Sequence, residues 1–104
     1  MPYVLIDVYT MPEESAPGFI EGAHAIEKLL SALPGFVEGH LHTRVAGDGP
    51  FRFVSTAVWD SLEAIENARQ VVAADNARRG IDPQAQLAAL GIERRRAIYT
   101  RTTY

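Results

Sequence analysis

The sequence predicts an α+β domain of plan β-α-β-β-α-β, with both helices on one face of an antiparallel sheet. Two stretches, Phe19 to Leu33 and Leu62 to Val72, repeat apolar residues at helical spacing. Four others are rich in β-branched and aromatic residues and alternate in polarity, as strands do. Their order along the chain is strand, helix, strand, strand, helix, strand, which is that of a split β-α-β unit.

Tyr3 to Thr10 (YVLIDVYT) alternates Val4, Ile6 and Val8 against Tyr3, Leu5, Asp7 and Tyr9, so the first strand has two different faces. Met11-Pro12-Glu13-Glu14-Ser15 breaks it. Helix one is predicted from Pro17 to Ala32, with Phe19, Ala23, Ile26, Leu30 and Leu33 as one buried stripe and Pro34-Gly35 as the stop. Phe36 to Val45 sets Phe36, Glu38, His40, His42 and Arg44 against Val37, Gly39, Leu41, Thr43 and Val45, a strand with one mixed and one more apolar face. Ala46 to Pro50 is a turn. Phe51 to Trp59 makes a third strand, pairing with the second as a hairpin. Asp60 is expected to cap helix two, with Glu63 reaching back; the helix runs from Ser61 to about Arg79 and stops at Gly80. A helical turn follows from Pro83 to Leu90, closed by Gly91, and Arg95 to Thr102 is the last strand. No linker or repeat interrupts residues 1–104, so one domain is expected.

Two helices on one side leave the apolar Val4, Ile6 and Val8 row, and the apolar face of strand two, without cover. A second copy packing sheet to sheet would supply it, so a homodimer is expected. The net charge of −3 disfavours nucleic acid, which needs concentrated basic residues, and Lys28 is the only lysine among ten basic side chains. Without cysteine there is no disulfide, thiolate nucleophile or thiolate metal site. No apolar run approaches a membrane span, and residues 1–10 lack the charge and apolar pattern of a secretory leader, so a cytoplasmic address is expected.

Pro34-Gly35-Phe36, then Leu41-His42, then Phe51-Arg52-Phe53-Val54 and Trp59-Asp60-Ser61, in this order and spacing, resemble the antibiotic biosynthesis monooxygenase-like family of the dimeric α+β barrel superfamily. The likeness covers roughly Tyr3 to Ala68. It implies a ferredoxin-like, dimeric α+β barrel fold, with any ligand held between the sheet and the helices of each subunit. Members of the family include cofactor-independent oxygenases of polyketide aromatics, quinol oxygenases and haem-degrading enzymes. The haem-degrading branch uses an Asn on strand one, a Trp in helix two and a His further along it, and Asp7, Ala68 and Arg78 stand in those places here. Arg78 has no lone pair to give iron. Ala23, where members often carry an aromatic, implies a roomier or differently shaped pocket.

The resemblance implies a cofactor-independent monooxygenase acting on a small phenolic or polycyclic aromatic, with no cofactor or metal. His42 matches the family's Leu-His, and an ordinary imidazole pKa suits proton transfer near neutrality, so it is the expected base. Asp7, an acid in an apolar strand, must have a partner if buried. It is expected to orient His42 or the substrate hydroxyl. Helical geometry puts Arg69 and Asn76 on the side of helix two carrying Leu62, Ile65, Ala68 and Val72, so Arg69 is expected to steady developing negative charge and Asn76 to line the site. The alternative for Arg69 is to lie outward over the sheet edge.

His40, two residues from His42, and Trp59 are further candidates for substrate contact, although a lone Trp at a strand end is more often core. His40, His42 and Glu38 could also form nothing more than a polar strand face. His24, about 140° around helix one from Phe19, has no expected role. Arg94-Arg95-Arg96 reads as an edge strand that repels pairing. The alternative to an enzyme is a non-catalytic homodimer that binds a small ligand; a haem binder comes third.

Overall fold

The computed structural model describes residues 2–104. Strands β1 (Tyr3–Thr10), β2 (Phe36–Thr43), β3 (Phe53–Trp59) and β4 (Glu93–Tyr99) form one antiparallel sheet in the order β2-β3-β1-β4. Helices α1 (Ala16–Ser31) and α2 (Leu62–Arg78) make the two crossovers, and a short helix α3 (Pro83–Ala89) precedes β4. This is the ferredoxin-like arrangement expected from the order of elements.

Pairing fixes the faces. Tyr3, Leu5, Asp7 and Tyr9 lie opposite Trp59, Ala57, Ser55 and Phe53 of β3, and Leu5, Asp7 and Tyr9 lie opposite Ile98, Arg96 and Arg94 of β4. Alpha-helix α1 sits on this face: the Phe19 ring is 4.6 Å from that of Tyr9 and 5.0 Å from that of Phe53. Phe53 and Trp59 are its most buried large side chains, each removing enough apolar area to stabilise the fold by about 2–3 kcal/mol. The opposite face carries Val4, Ile6 and Val8 beside Val58, Thr56 and Val54, only half-buried and without a helix over them.

Several boundaries differ from those expected. Asp60 does not cap α2; Ser61 does, its hydroxyl accepting the Ala64 N–H at 3.0 Å. Asp60 instead lies against the Pro34-Gly35 turn, where its N–H reaches the Gly35 carbonyl at 2.9 Å. Gly35 has φ +83°, and a Cβ there would come within 2.6 Å of the Asp60 carboxylate, so this position requires glycine. A turn of 3-10 helix (Glu13–Ser15) fills the break after β1, and the Ser15 hydroxyl ties it to the end of α3 through the Leu90 carbonyl at 2.6 Å. Strand β4 begins two residues before the expected Arg95 and ends at Tyr99.

The most consequential difference is in β2. Phe36 pairs with Trp59, but Glu38 pairs with Val58, so Val37 is an extra residue, a β-bulge. Because side chains alternate with period two, one inserted residue exchanges the two faces of everything after it. Phe36 packs on the helix side, its ring 5.2 Å from Trp59. Beyond the bulge, Gly39 and Leu41 take that side while Glu38, His40 and His42 turn to the open face.

Candidate functional site

The helix-side face of the sheet is built in rows. Leu5, Ala57, Gly39 and Ile98 form one; Asp7, Ser55, Leu41 and Arg96 the next; Tyr9, Phe53, Thr43 and Arg94 the third. Small residues at 39, 55 and 57 keep the middle of the floor low. From α2, Ala68 is buried and Ile65 and Val72 are half-buried, so the neighbours of this face on that helix are apolar.

In that setting Asp7 is 4% exposed. An unpaired carboxylate there would be costly, and the structure supplies a two-point partner: Arg96 donates from Nε to Oδ1 at 2.7 Å and from Nη2 to Oδ2 at 3.0 Å. The Tyr9 hydroxyl approaches Oδ2 at 3.4 Å. Burial, with the Asp7 carboxylate beside it, pushes the Tyr9 phenol up to about 12, against the pull of Arg94 and Arg96. Tyr9 is therefore a neutral hydrogen-bond donor throughout the physiological range. The hydrogen bonds to Asp7 raise the Arg96 guanidinium above its ordinary value, and its side chain remains 43% exposed, with N–H groups left over for something else. Trp59, at the other end of the floor, buries an indole N–H that has no acceptor among the described residues.

The expected site residues are not brought together. Asp7 lies between sheet and helices as anticipated, but its partner is Arg96 rather than Arg69. Arg69 is on the solvent side of α2, held by Glu66 at 2.6 and 2.9 Å. The inward side of α2 runs through Ala64, Ile65, Ala68, Val71, Val72 and Asp75, with Leu62 half exposed, so the helix is rotated from the expected face. Asn76 is half-buried on that inward side, and its carbonyl accepts the Ile81 N–H at 2.8 Å.

His42 and His40 are both on the open face. His42 reaches the Thr56 hydroxyl at 3.4 Å and His40 the Glu38 carboxylate at 3.3 Å, all exposed, with the two rings 6.2 Å apart. His42 thus lies across the sheet from Asp7 and cannot take a proton from a molecule held beside Asp7; the bulge at Val37 is the reason. No group of three or more His, Asp or Glu among the described residues is placed to hold a metal.

The residues do not fit haem in this cleft. Of the three histidines, His24 is exposed on α1 and the other two face away, while Arg78 is outside on α2, bonded to Asp75. Two open surface hollows, about 570 and 550 Å³, lie around Pro12 and Gly91, away from the cleft. Thr10 and Glu93, polar groups lining the first, bond each other at 3.3 Å.

Tyr9 and Arg96 are not among the expected site residues. The signal for Arg96 was available: a buried acid on β1 requires a cation, and in this plan the last strand, with its arginine run, lies beside the first.

Fold and ion pair define a ferredoxin-like α+β protein with a charge-paired carboxylate buried on the helix side of its sheet. The chain belongs to the antibiotic biosynthesis monooxygenase family, whose profile matches residues 2–79. Among solved structures it is similar to SnoaB, a cofactor-independent oxygenase from Streptomyces nogalater (21% identity, TM-score 0.64, covering 99% of this chain and 95% of that one). It is also similar to the haem degrader MhuD from Mycobacterium tuberculosis (17%, TM-score 0.74, 98% and 97%) and to an ethyl tert-butyl ether d family protein from Bacillus halodurans (18%, TM-score 0.63, 98% and 100%). At these identities the likeness is one of fold. No curated protein sequence matches the chain. No helix among the described residues is long and apolar enough to cross a membrane.

Proposed function

We propose that the protein is a cofactor-independent monooxygenase that oxidises a small phenolic or polycyclic aromatic in the cleft between sheet and helices. The observation that carries this reading is the Asp7–Arg96–Tyr9 cluster, a polar centre set in an otherwise apolar space. Family membership and the fold shared with SnoaB support it.

In such a reaction an acidic ring CH₂ or phenol loses a proton, and the resulting anion transfers electrons to dioxygen directly. One oxygen atom enters the ring as a carbonyl, and the other leaves as water with two hydrogens of the substrate, both from the carbon of a CH₂ or one from the ring carbon and one from the hydroxyl of a phenol. Asp7 is the acceptor on this side of the sheet. As the proton moves to it, negative charge passes from carboxylate to ring while the Arg96 guanidinium stays beside both, so the charge in the cleft never goes unpaired. Tyr9, neutral and donating, stabilises the substrate oxyanion. The apolar walls keep water from the carbanion.

The working unit of this reading is a homodimer, with the open sheet faces packed together over Val4, Ile6 and Val8. Oxygen uptake with anthrone and with naphthohydroquinones, in the absence of metal and flavin, tests the activity. Consumption of one dioxygen per anthrone, lost in Asp7→Asn, is expected. Binding without uptake would leave a ligand-binding dimer as the better account.

A further inference from the structure

The helix-facing row of β4 is more positive than the catalytic reading needs. Arg94 and Arg96 alternate onto the same side as Tyr9 and Asp7, while Arg95 between them points with Val8 to the open face. Asp7 neutralises only one of the pair. No carboxylate lies within 4 Å of Arg94 among the described residues. Of the acids nearby in sequence or on α2, Glu93 faces the other way with Thr10, Glu66 holds Arg69, Asp75 holds Arg78 and Arg79, and Glu63, in the first turn of α2, makes no ion pair with Arg94. The row therefore carries a net charge of about +1, beside the apolar Leu5 and Ile98, the latter 45% exposed.

Edge protection does not account for this. A row serving only to repel other strands has no use for a buried carboxylate beneath one arginine, whose effect is to fix the guanidinium plane and leave its remaining N–H groups free on a partly exposed side chain. Strand β4 also lies beyond residues 2–79, the part that matches the family.

We propose that Arg94 and Arg96 form a binding site for a carboxylate substituent of the substrate, so that the cleft selects aromatic acids over the corresponding neutral phenols. This rests on the reading of the cleft as an aromatic site. The planar, partly desolvated guanidinium of Arg96 suits the two oxygens of a carboxylate, with Arg94 adding charge from the solvent side. The ring lies over Leu5 and Ile98.

The test compares a matched pair of probes, naphthol and hydroxynaphthoate, by fluorescence titration at low ionic strength. Wild-type protein binds the acid about tenfold more tightly, the effect of one charge-assisted hydrogen bond. Added salt shrinks the ratio. Arg94→Gln, an exposed position where folding is not at stake and can be verified by circular dichroism, brings the ratio to within about twofold of parity, whereas Arg95→Gln, an equal change of charge on the other face, preserves it. Equal wild-type affinities for the two probes, or an unchanged ratio in Arg94→Gln, overturn the carboxylate site and leave the aromatic cleft standing. Binding of neither probe overturns the aromatic cleft, and the carboxylate site with it.

Discussion

The two faces of the sheet handle charge in opposite ways. On the helix side a single carboxylate is buried, and the chain brings Arg96 to it across 89 positions of sequence. On the open side Glu38, His40 and His42 line the outer strand exposed to solvent, while the valines and Ile6 nearer the centre are half-buried with nothing over them. A buried charge must be answered within the fold; an exposed one makes no such demand. The helix-side cluster therefore says more about function than the histidines do, although histidine is by residue type the more obvious catalyst.

The sharpest way to break this contrast is to put a charge where the open face has none. In the proposed homodimer Ile6→Asp is expected to cost about 3 kcal/mol or more, because a second copy packed on this face would bury an unpaired acid. Sedimentation should show loss of the dimer or of the folded state. A variant that kept both would mean the face is open in solution.

Next in size is Asp7→Ala. It leaves Arg96 without its partner, but the guanidinium is partly exposed and can turn to water, so a loss of about 2 kcal/mol is expected rather than the full cost of an orphaned buried charge. Thermal unfolding should fall by about 10 °C.

An effect of similar size, confined to alkaline pH, belongs to Tyr9. Its folded-state pKa is raised to about 12 from 10.0, so the folded protein holds the phenolic proton more tightly than the unfolded chain. That contribution is fully present below pH 10 and is lost as pH rises from about 10 to 12, by roughly 2–3 kcal/mol. Tyr9→Phe should flatten this alkaline loss in melting curves taken across that range.

The smallest effect sharpens the comparison from the other side. His42→Ala should change naphthol affinity by less than about twofold, since the ring is across the sheet from the cleft and holds only Thr56. A tenfold loss on titration would require the ligand to sit on the open face.

These contrasts show what could be read before folding and what could not. The order of elements, the helix stripe from Phe19 and the alternation of β1 were all visible, because each depends on spacing within one element. Asp7 stood out for the same reason, as an acid among Val, Ile and Tyr. The neighbours of Asp7 did not, since they depend on which strands lie side by side and in what register. Arg69 was expected inward from helical geometry alone, but α2 settles on Ala68 and Val72, whose burial gains more than the stem of an arginine already satisfied by Glu66. The misplacement of His42 came from a single residue, because strict alternation from Phe36 holds only if no strand carries an extra one.

That extra residue gives β2 an unusual freedom in evolution. Losing one codon at Val37 would leave composition, length and charge almost untouched, yet it would rotate two imidazoles and a carboxylate from the outer surface into the interior and send Leu41 out. A lineage could thus acquire or discard a pair of histidines in its cleft without mutating either histidine. Comparing such proteins column by column would show no change at the very positions where the chemistry had been exchanged.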